Sequence, residues 1–313
     1  MSHPNSEAIK QCIDIDSNPF EGMIIEDSSL LSELEGRQPC PKCNKSRKFY
    51  CYTCYIPIKN LEGLLPQVKL PIKIDIIKHK HEIDGKSTSG HAAVLAPEDV
   101  TVHTYPNIPD YSKENVVLVF PSYDAISVSD LLQHEDYNEL LELKGKGSKE
   151  LPKGYNRTTL LTKIVKNLDS DVRLLRSLPI NKVIFIDSTW NQSKGIFKDP
   201  KISRIPCVVI ENRISQFWRH QKGSPRWYLA TIEAIHQFLL EIHLHRWGLD
   251  KNYKGIFGCF NESSKNFEDY YSNSENAYKG QYDNLLYFFK HMYNLIHEYY
   301  DHEELYAYKR RLM

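Results

Sequence analysis

The sequence has no excess of either charge: forty Lys and Arg face forty Asp and Glu over 313 residues. Any hold on nucleic acid must then come from a local patch and not from overall attraction. Long hydrophobic runs are absent too, none approaching the roughly 18 apolar residues of a membrane span. The opening MSHPNSEAIKQ lacks the basic and apolar regions of a signal peptide. A soluble, intracellular protein with no membrane partner is expected. Cysteine is sparse and odd in number, seven in all with four clustered, which argues against a disulfide framework and for thiols or metal ligands in a reducing compartment. Basic residues are nearly missing from residues 1–36, where eight acids stand against one lysine with little apolar periodicity. That stretch reads as a disordered acidic tail.

What is present reads as α/β. Short apolar, largely β-branched runs at 68–77, 100–105, 116–120, 183–186 and 206–210 have strand character, and amphipathic patterns at 130–143 and 229–247 have helical character. Two stretches interrupt the alternation. Between 142 and 182 ten Lys and Arg face four acids, with Gly145, Gly147, Pro152 and Gly154, so an insertion near 144–178 begins as a basic loop. Another, near 254–279, is Asn- and Ser-rich and aromatic, bracketed by the tripeptide YKG at 253–255 and 278–280.

Two local signals carry chemistry. In KVIFIDSTWNQ, residues 182–192, an apolar run meets an acid, two hydroxyls and an indole with no glycine between. A buried parallel strand reads this way, and ligands of open α/β sheets bind beyond the carboxyl ends of the strands. Asp187 would stand at that end. Alternatively Asp187 or Ser188 caps a following helix and Trp190 packs in the core. The other signal is Cys40-Pro41-Lys42-Cys43 followed after seven residues by Cys51-Tyr52-Thr53-Cys54. Four thiolates in two C-x-x-C turns fit a closed structural zinc site, which makes residues 37–60 a four-cysteine zinc module; a redox pair or disulfides are the other uses of such cysteines. Lys42, Lys45, Arg47 and Lys48 give the module a basic surface suited to phosphate backbone.

Further motifs join these: FYCYTCYIPI, KLPIKIDIIKH, GKST, the cluster FWRHQKG at 217–223, TIEAI at 231–235 and GQYDNLL at 280–286. Together with IFIDSTWNQ, over about 39–294, they resemble the DTW-domain proteins of the TDD superfamily, specifically the eukaryotic tRNA-uridine aminocarboxypropyltransferases, whose motif is D-x-T-W. The resemblance implies that residues 61–313 form one DTW domain with a SPOUT-like core tied in a trefoil knot, holding S-adenosylmethionine as co-substrate. The loops enclosing it would carry Pro121, Ser122, Asp187, Ser188, Thr189, Leu229, Ala230 and Thr231. Substrate-binding residues by the same resemblance are Thr88, Trp190, Trp218, Arg219 and Gln221; here the chain has KSTSGH where bacterial relatives have a T-N-T-G pattern.

The implied reaction moves the 3-amino-3-carboxypropyl group to N3 of a uridine in the D-loop of tRNA, giving acp3U and methylthioadenosine in the nucleus, with the cytoplasm as a further site. A carboxylate close to N3–H can accept its proton, and Asp187 is the candidate. Arg219 suits a carboxylate or phosphate, Gln221 a base edge, and the two indoles an unstacked base. Two other readings stay open: a SPOUT-like RNA methyltransferase, and a non-catalytic zinc-containing RNA-binding protein.

Overall fold

The computed structural model describes residues 18–134, 136–144, 178–211, 213–221, 223–260 and 266–310. The first half of the acidic tail and nearly all of the basic insertion near 144–178 lie outside these residues. Four short strands, β1 (Gln38–Pro39), β2 (Ser46–Arg47), β3 (Tyr50–Cys51) and β4 (Ile56–Pro57), pair as two antiparallel ribbons carrying the clustered cysteines. Six parallel strands then build the centre: β5 (Lys73–Lys78), β6 (Val100–Thr104), β7 (Val116–Val119), β8 (Ile126–Ser127), β9 (Lys182–Asp187) and β10 (Cys207–Val209), in the order β6-β5-β9-β7-β10-β8. All five apolar runs of the sequence yield a strand. The edge strand β8 was too short to show a pattern.

Period-two alternation divides the sheet between two cores. Ile74, Ile76, Val117, Val183 and Phe185 point into the larger one; Ile77, Val116, Leu118 and Ile184 point into the smaller. Asp187 continues the Val183–Phe185 parity, so its side chain stands on the larger-core face. Among the described residues the α-helices are α1 (Ser29–Ser32), α2 (Ser89–Leu95), α3 (Val128–Leu131), α4 (Tyr137–Leu143), α5 (Trp190–Phe197), α6 (Thr231–Trp247) and α7 (Tyr287–Tyr299). The pattern at 130–143 thus belongs to two short helices and not to one. Its first helix is stopped early and started by Ser127, whose hydroxyl accepts the Asp130 amide. Helix α6 is buried nearly all round, Glu233, His236, Gln237, Glu241 and His243 included, so each of its polar side chains needs a partner inside.

Two stretches pack more closely than their composition indicated. Residues 18–36, the described part of the expected disordered tail, place Phe20, Met23 and Leu31 in the larger core, and the Ile24 amide donates to Asp283 Oδ2 at 2.7 Å. A few apolar anchors outweigh an acidic surface there. The flanks of the 254–279 insertion are equally fixed: the tyrosines of the two YKG tripeptides, Tyr253 and Tyr278, donate to Asp283 Oδ2 and Oδ1 at 2.8 and 2.7 Å. His236 Nε2 lies 3.0 Å from Asp283 Oδ1 and its Nδ1 3.1 Å from Arg213 Nη1. Since guanidinium can only donate, Nδ1 is the acceptor and Nε2–H the donor to Asp283.

Candidate active site

Strand β9 runs through Asp187, one residue beyond the apolar stretch. The side chain is 5% exposed, and both carboxylate oxygens are held by hydroxyls from distant segments: Ser87 donates to Oδ2 at 2.5 Å and Thr231 to Oδ1 at 2.7 Å. Ser87 Oγ in turn lies 2.6 Å from Ser89 Oγ and accepts the Ser89 amide at 3.1 Å. Asp187 does not cap the helix that follows. Thr189 is the N-cap of α5, and its amide donates to Gln192 Oε1 at 3.1 Å. The carboxylate instead joins the loop after β5, the end of β9 and the first turn of α6.

Trp190 begins α5 and is 39% exposed. Its ring lies 4.5 Å from Tyr228 and 6.4 Å from Phe120, centroid to centroid. Phe120 and Tyr228 belong to the loops after β7 and before α6, so these loops and the end of β9 meet around this indole. Pro121 is exposed beside Phe120, and the Ser122 hydroxyl donates to Asp124 at 2.6 Å. Ser188 is half-buried and Thr189 exposed. Leu229 is half-buried, while the amide of buried Ala230 donates to Glu233 Oε2 at 2.8 Å. Glu233 also receives the Ser215 hydroxyl and the Gln216 amide, both at 2.7 Å, tying the 213–217 segment to the start of α6.

The expected substrate-binding residues scatter. Thr88 is 5% exposed and its hydroxyl accepts the Ile232 amide at 3.1 Å; it holds the first turn of α6 and offers no free edge. Trp218 packs 5.1 Å from Phe289 against the larger core, because the adjoining Phe217 is buried there. Gln221 Oε1 accepts from Arg310 at 3.2 Å, which turns it toward the C-terminal segment. Arg219 lies toward the Ser87 loop, donating from Nη2 to the Gly85 carbonyl at 3.3 Å. Its Nε is buried without a partner among the described residues, and burial lowers the guanidinium's pKa.

Sequence reasoning missed Ser87, Tyr228 and Lys78. Lys78 is the register neighbour of Asp187 on β5, nearly buried, with Nζ 2.5 Å from Asp84 and 5.9 Å from the Tyr55 ring centroid. Ser87 sat inside a stretch already singled out; only the fold shows that its hydroxyl, and not that of Thr88, faces the acid.

The four cysteine sulfurs lie within 4.8 Å of one another, and Cys43 Sγ is 3.6 Å from Cys51 Sγ. Zinc–sulfur bonds of about 2.3 Å place the sulfurs of a tetrahedron about 3.8 Å apart, so the set fits. Both turns have the same backbone form. Asn44 and Tyr55, each following the second cysteine of its pair, have φ of 58° and 54°, and their amides return to the carbonyls of Cys40 and Cys51 at 2.9 and 2.6 Å. Amides of Lys42 and Cys54 lie 3.4 Å from the Cys40 and Cys51 sulfurs. Burial raises the Cys51 thiol's pKa, but the Thr53 amide, Arg47 and the Cys54 amide together bring it below the ordinary value. Such donors stabilise thiolates. The basic surface is smaller than expected. Arg47 is buried, with Nε on Cys51 Sγ at 3.4 Å and its guanidinium 4.0 Å over the Tyr52 ring, and Lys48 is held by the Leu34 carbonyl.

The module abuts the Asp187 network. An added Cβ on Gly90, in the first turn of α2, would lie 2.8 Å from Tyr50 Cε2, so only glycine lets the ring approach. Tyr50 also packs 4.9 Å from Phe288 and 5.9 Å from His91.

Comparison with known proteins places residues 48–297 in a match to the DTW domain. The chain is 41% identical over 276 residues to the tRNA-uridine aminocarboxypropyltransferase 1 of Xenopus laevis, covering 86% of this chain and 83% of that protein. The human protein of the same name is 38% identical over 284 residues, covering 89% and 84%. That of Xenopus tropicalis is 38% identical over 294 residues, covering 91% and 88%. No solved structure matches the chain.

Proposed function

Because the chain belongs to the DTW-domain family, we propose that it transfers the 3-amino-3-carboxypropyl group of S-adenosylmethionine to N3 of a uridine in the D-loop of tRNA, releasing methylthioadenosine. The names of its relatives support the reaction class. The observation that carries it to particular residues is the pairing, at one sheet end, of a hydroxyl-held carboxylate with an exposed indole set in three converging loops.

The residues present fit such a co-substrate. An aromatic group formed by Trp190, Tyr228 and Phe120 suits a base, and Arg219, whose buried Nε has no partner among the described residues, suits a carboxylate. S-adenosylmethionine supplies an electrophilic methylene carbon in its methionine arm. Asp187 accepts the uridine N3 proton as the nitrogen attacks, and Ser87 and Thr231 fix the direction in which its oxygens face. Trp190 stacks the extruded base, an interaction of about 1–3 kcal/mol, which offsets part of the few kcal/mol needed to take it from the loop. The four cysteines hold one structural zinc with no open position for chemistry.

A SPOUT-related core accords with the strand order, since β9 enters between β5 and β7, and β10 between β7 and β8, after those strands are laid. A trefoil knot is part of the same proposal. One observation favours a second role for Asp187: both its oxygens are already engaged, as in a clamp that assembles the loops.

Mass spectrometry of tRNA incubated with the protein and S-adenosylmethionine tests the reaction. The mass of an aminocarboxypropyl group is expected on a D-loop uridine. A methyl group there would make the protein a methyltransferase, and unmodified tRNA with retained binding would make it a binding protein.

A further inference from the structure

We propose that the exposed face of α5 is the rail along which tRNA backbone enters the site. The inference rests on the reading of the protein as a tRNA-modifying enzyme and adds the surface that holds the substrate.

Helix α5 is sharply two-sided. Ser193 and Ile196 are buried and Phe197 stacks 4.4 Å from Phe120, whereas Asn191, Lys194 and Gly195 are exposed, as is Lys198 at its C-cap. Trp190, Lys194 and Lys198 follow at intervals of four, and such residues share a helix face. At a rise of 1.5 Å per residue the stripe runs about 12 Å away from the indole. It therefore begins at the proposed base-stacking surface and leads outward as two ammonium groups in line.

No acid lies within α5. The nearest one in sequence, Asp199, is occupied by the Tyr105 hydroxyl at 3.1 Å and the Lys201 amide at 2.9 Å. Among the described residues no carboxylate pairs with Lys194 or Lys198, although Lys69, Lys73, Lys78, Lys144 and Lys182 all have acidic partners. Two unpaired lysines aligned with an exposed tryptophan are suited to successive phosphates beside an unstacked base. The bland account is that lysines near a helix C-terminus merely complement its dipole. The rival surface is the cysteine module, where burial of Arg47 and tethering of Lys48 leave Lys42 and Lys45 exposed.

The test compares wild type with the full-length double variants Lys194→Glu/Lys198→Glu and Lys42→Glu/Lys45→Glu, with Lys194→Gln/Lys198→Gln as the milder form. tRNA dissociation constants are measured across a salt series, beside melting temperature, S-adenosylmethionine binding and the rate at saturating tRNA. The expected result is about a 10- to 100-fold weaker tRNA affinity for the α5 charge reversal at low salt. Its salt slope should fall by about 1.4, two phosphates at about 0.7 each. Melting, co-substrate binding and saturated rate should stay near wild type, and the glutamine pair should show the same slope change with a smaller affinity loss. Wild-type affinity and slope in the α5 variants overturn the proposal; an accompanying loss in the module variant relocates the interface there. Wild-type protein that neither modifies nor binds tRNA overturns the underlying function instead, a result the variants cannot mimic.

Discussion

Asp187→Asn separates proton transfer from loop assembly, and the structure sets both magnitudes. Asparagine keeps the shape and one acceptor oxygen. Ser87 already accepts the Ser89 amide and must go on donating, so it takes that oxygen; Thr231 can rotate its hydroxyl to accept from the new amide. Both contacts survive as neutral hydrogen bonds where charge-assisted ones stood, a difference of about 1–2 kcal/mol in total. A helix cap is not at stake, because Thr189 and Gln192 start α5 without Asp187. Melting should fall by only a few degrees for a chain of this size, on the order of 2–4 °C per kcal/mol. The amide cannot take a proton near neutral pH, so transfer should fall by about 10²–10⁴-fold. Single-turnover transfer read by mass spectrometry, with melting temperature and S-adenosylmethionine affinity on the same preparation, decides the matter. Thr231→Val is the companion: it removes one orienting hydroxyl, leaves the carboxylate, and should cost far less rate. Transfer by Asp187→Asn at the wild-type rate per folded molecule refutes the proton-acceptor role and leaves the clamp.

Three other outcomes follow from the packing. Gly90→Ala sets a methyl 2.8 Å from Tyr50, whose ring is backed by Phe288 and His91; overpacking of about 1–3 kcal/mol should exceed alanine's helical gain of about 1 kcal/mol, and an unchanged melting temperature would contradict this. Chelation or Cys51→Ser should release the metal and lower the melting temperature, and reduced wild-type protein found free of zinc by elemental analysis ends the metal reading. Burial lowers the pKa of His91 to about 3 and of His243 to about 4 from 6.5. Their contribution is therefore complete above pH 6.5 and is lost as pH falls toward those values, at about 3 kcal/mol per pH unit for the two together; denaturant titrations at several pH values showing no slope between pH 6 and 4.5 would refute it.

The sheet was legible because its strands are apolar on both faces, and the module because thiol spacing is a strong local signal. Asp187 was legible as the polar end of β9. Its partners were not: Ser87 and Thr231 lie 100 and 44 residues away, and no periodicity reports which hydroxyl of Ser87, Thr88 and Ser89 faces an acid. The placement of Trp218 and Gln221 was hidden from the sequence as well. Their types suit RNA, but the segment at 213–221 is drawn inward by Glu233 and by Arg310, so they face the core and the C-terminal segment. The bracketing YKG pair is two tyrosines meeting one buried aspartate.

The run Ser87-Thr88-Ser89-Gly90 connects the cysteine module to the Asp187 network. Ser87 holds Asp187, Thr88 holds the first turn of α6, which supplies Thr231 to the same carboxylate, and Gly90 receives Tyr50 from the strand that ends in Cys51, one of the four clustered cysteines. Tyr55, which follows the last cysteine, lies against Lys78, the register neighbour of Asp187. The second cysteine turn, Cys51–Cys54, is therefore flanked on both sides by tyrosines that reach the neighbourhood of the carboxylate. Close-packed contacts of this kind transmit displacement because neither side can yield without opening a void or a clash. If the proposed metal were lost, Tyr50 and Tyr55 would be freed together, and the two hydroxyls on Asp187 would lose their backing from one side. The module is thus a wall of the site as much as an appendage to it.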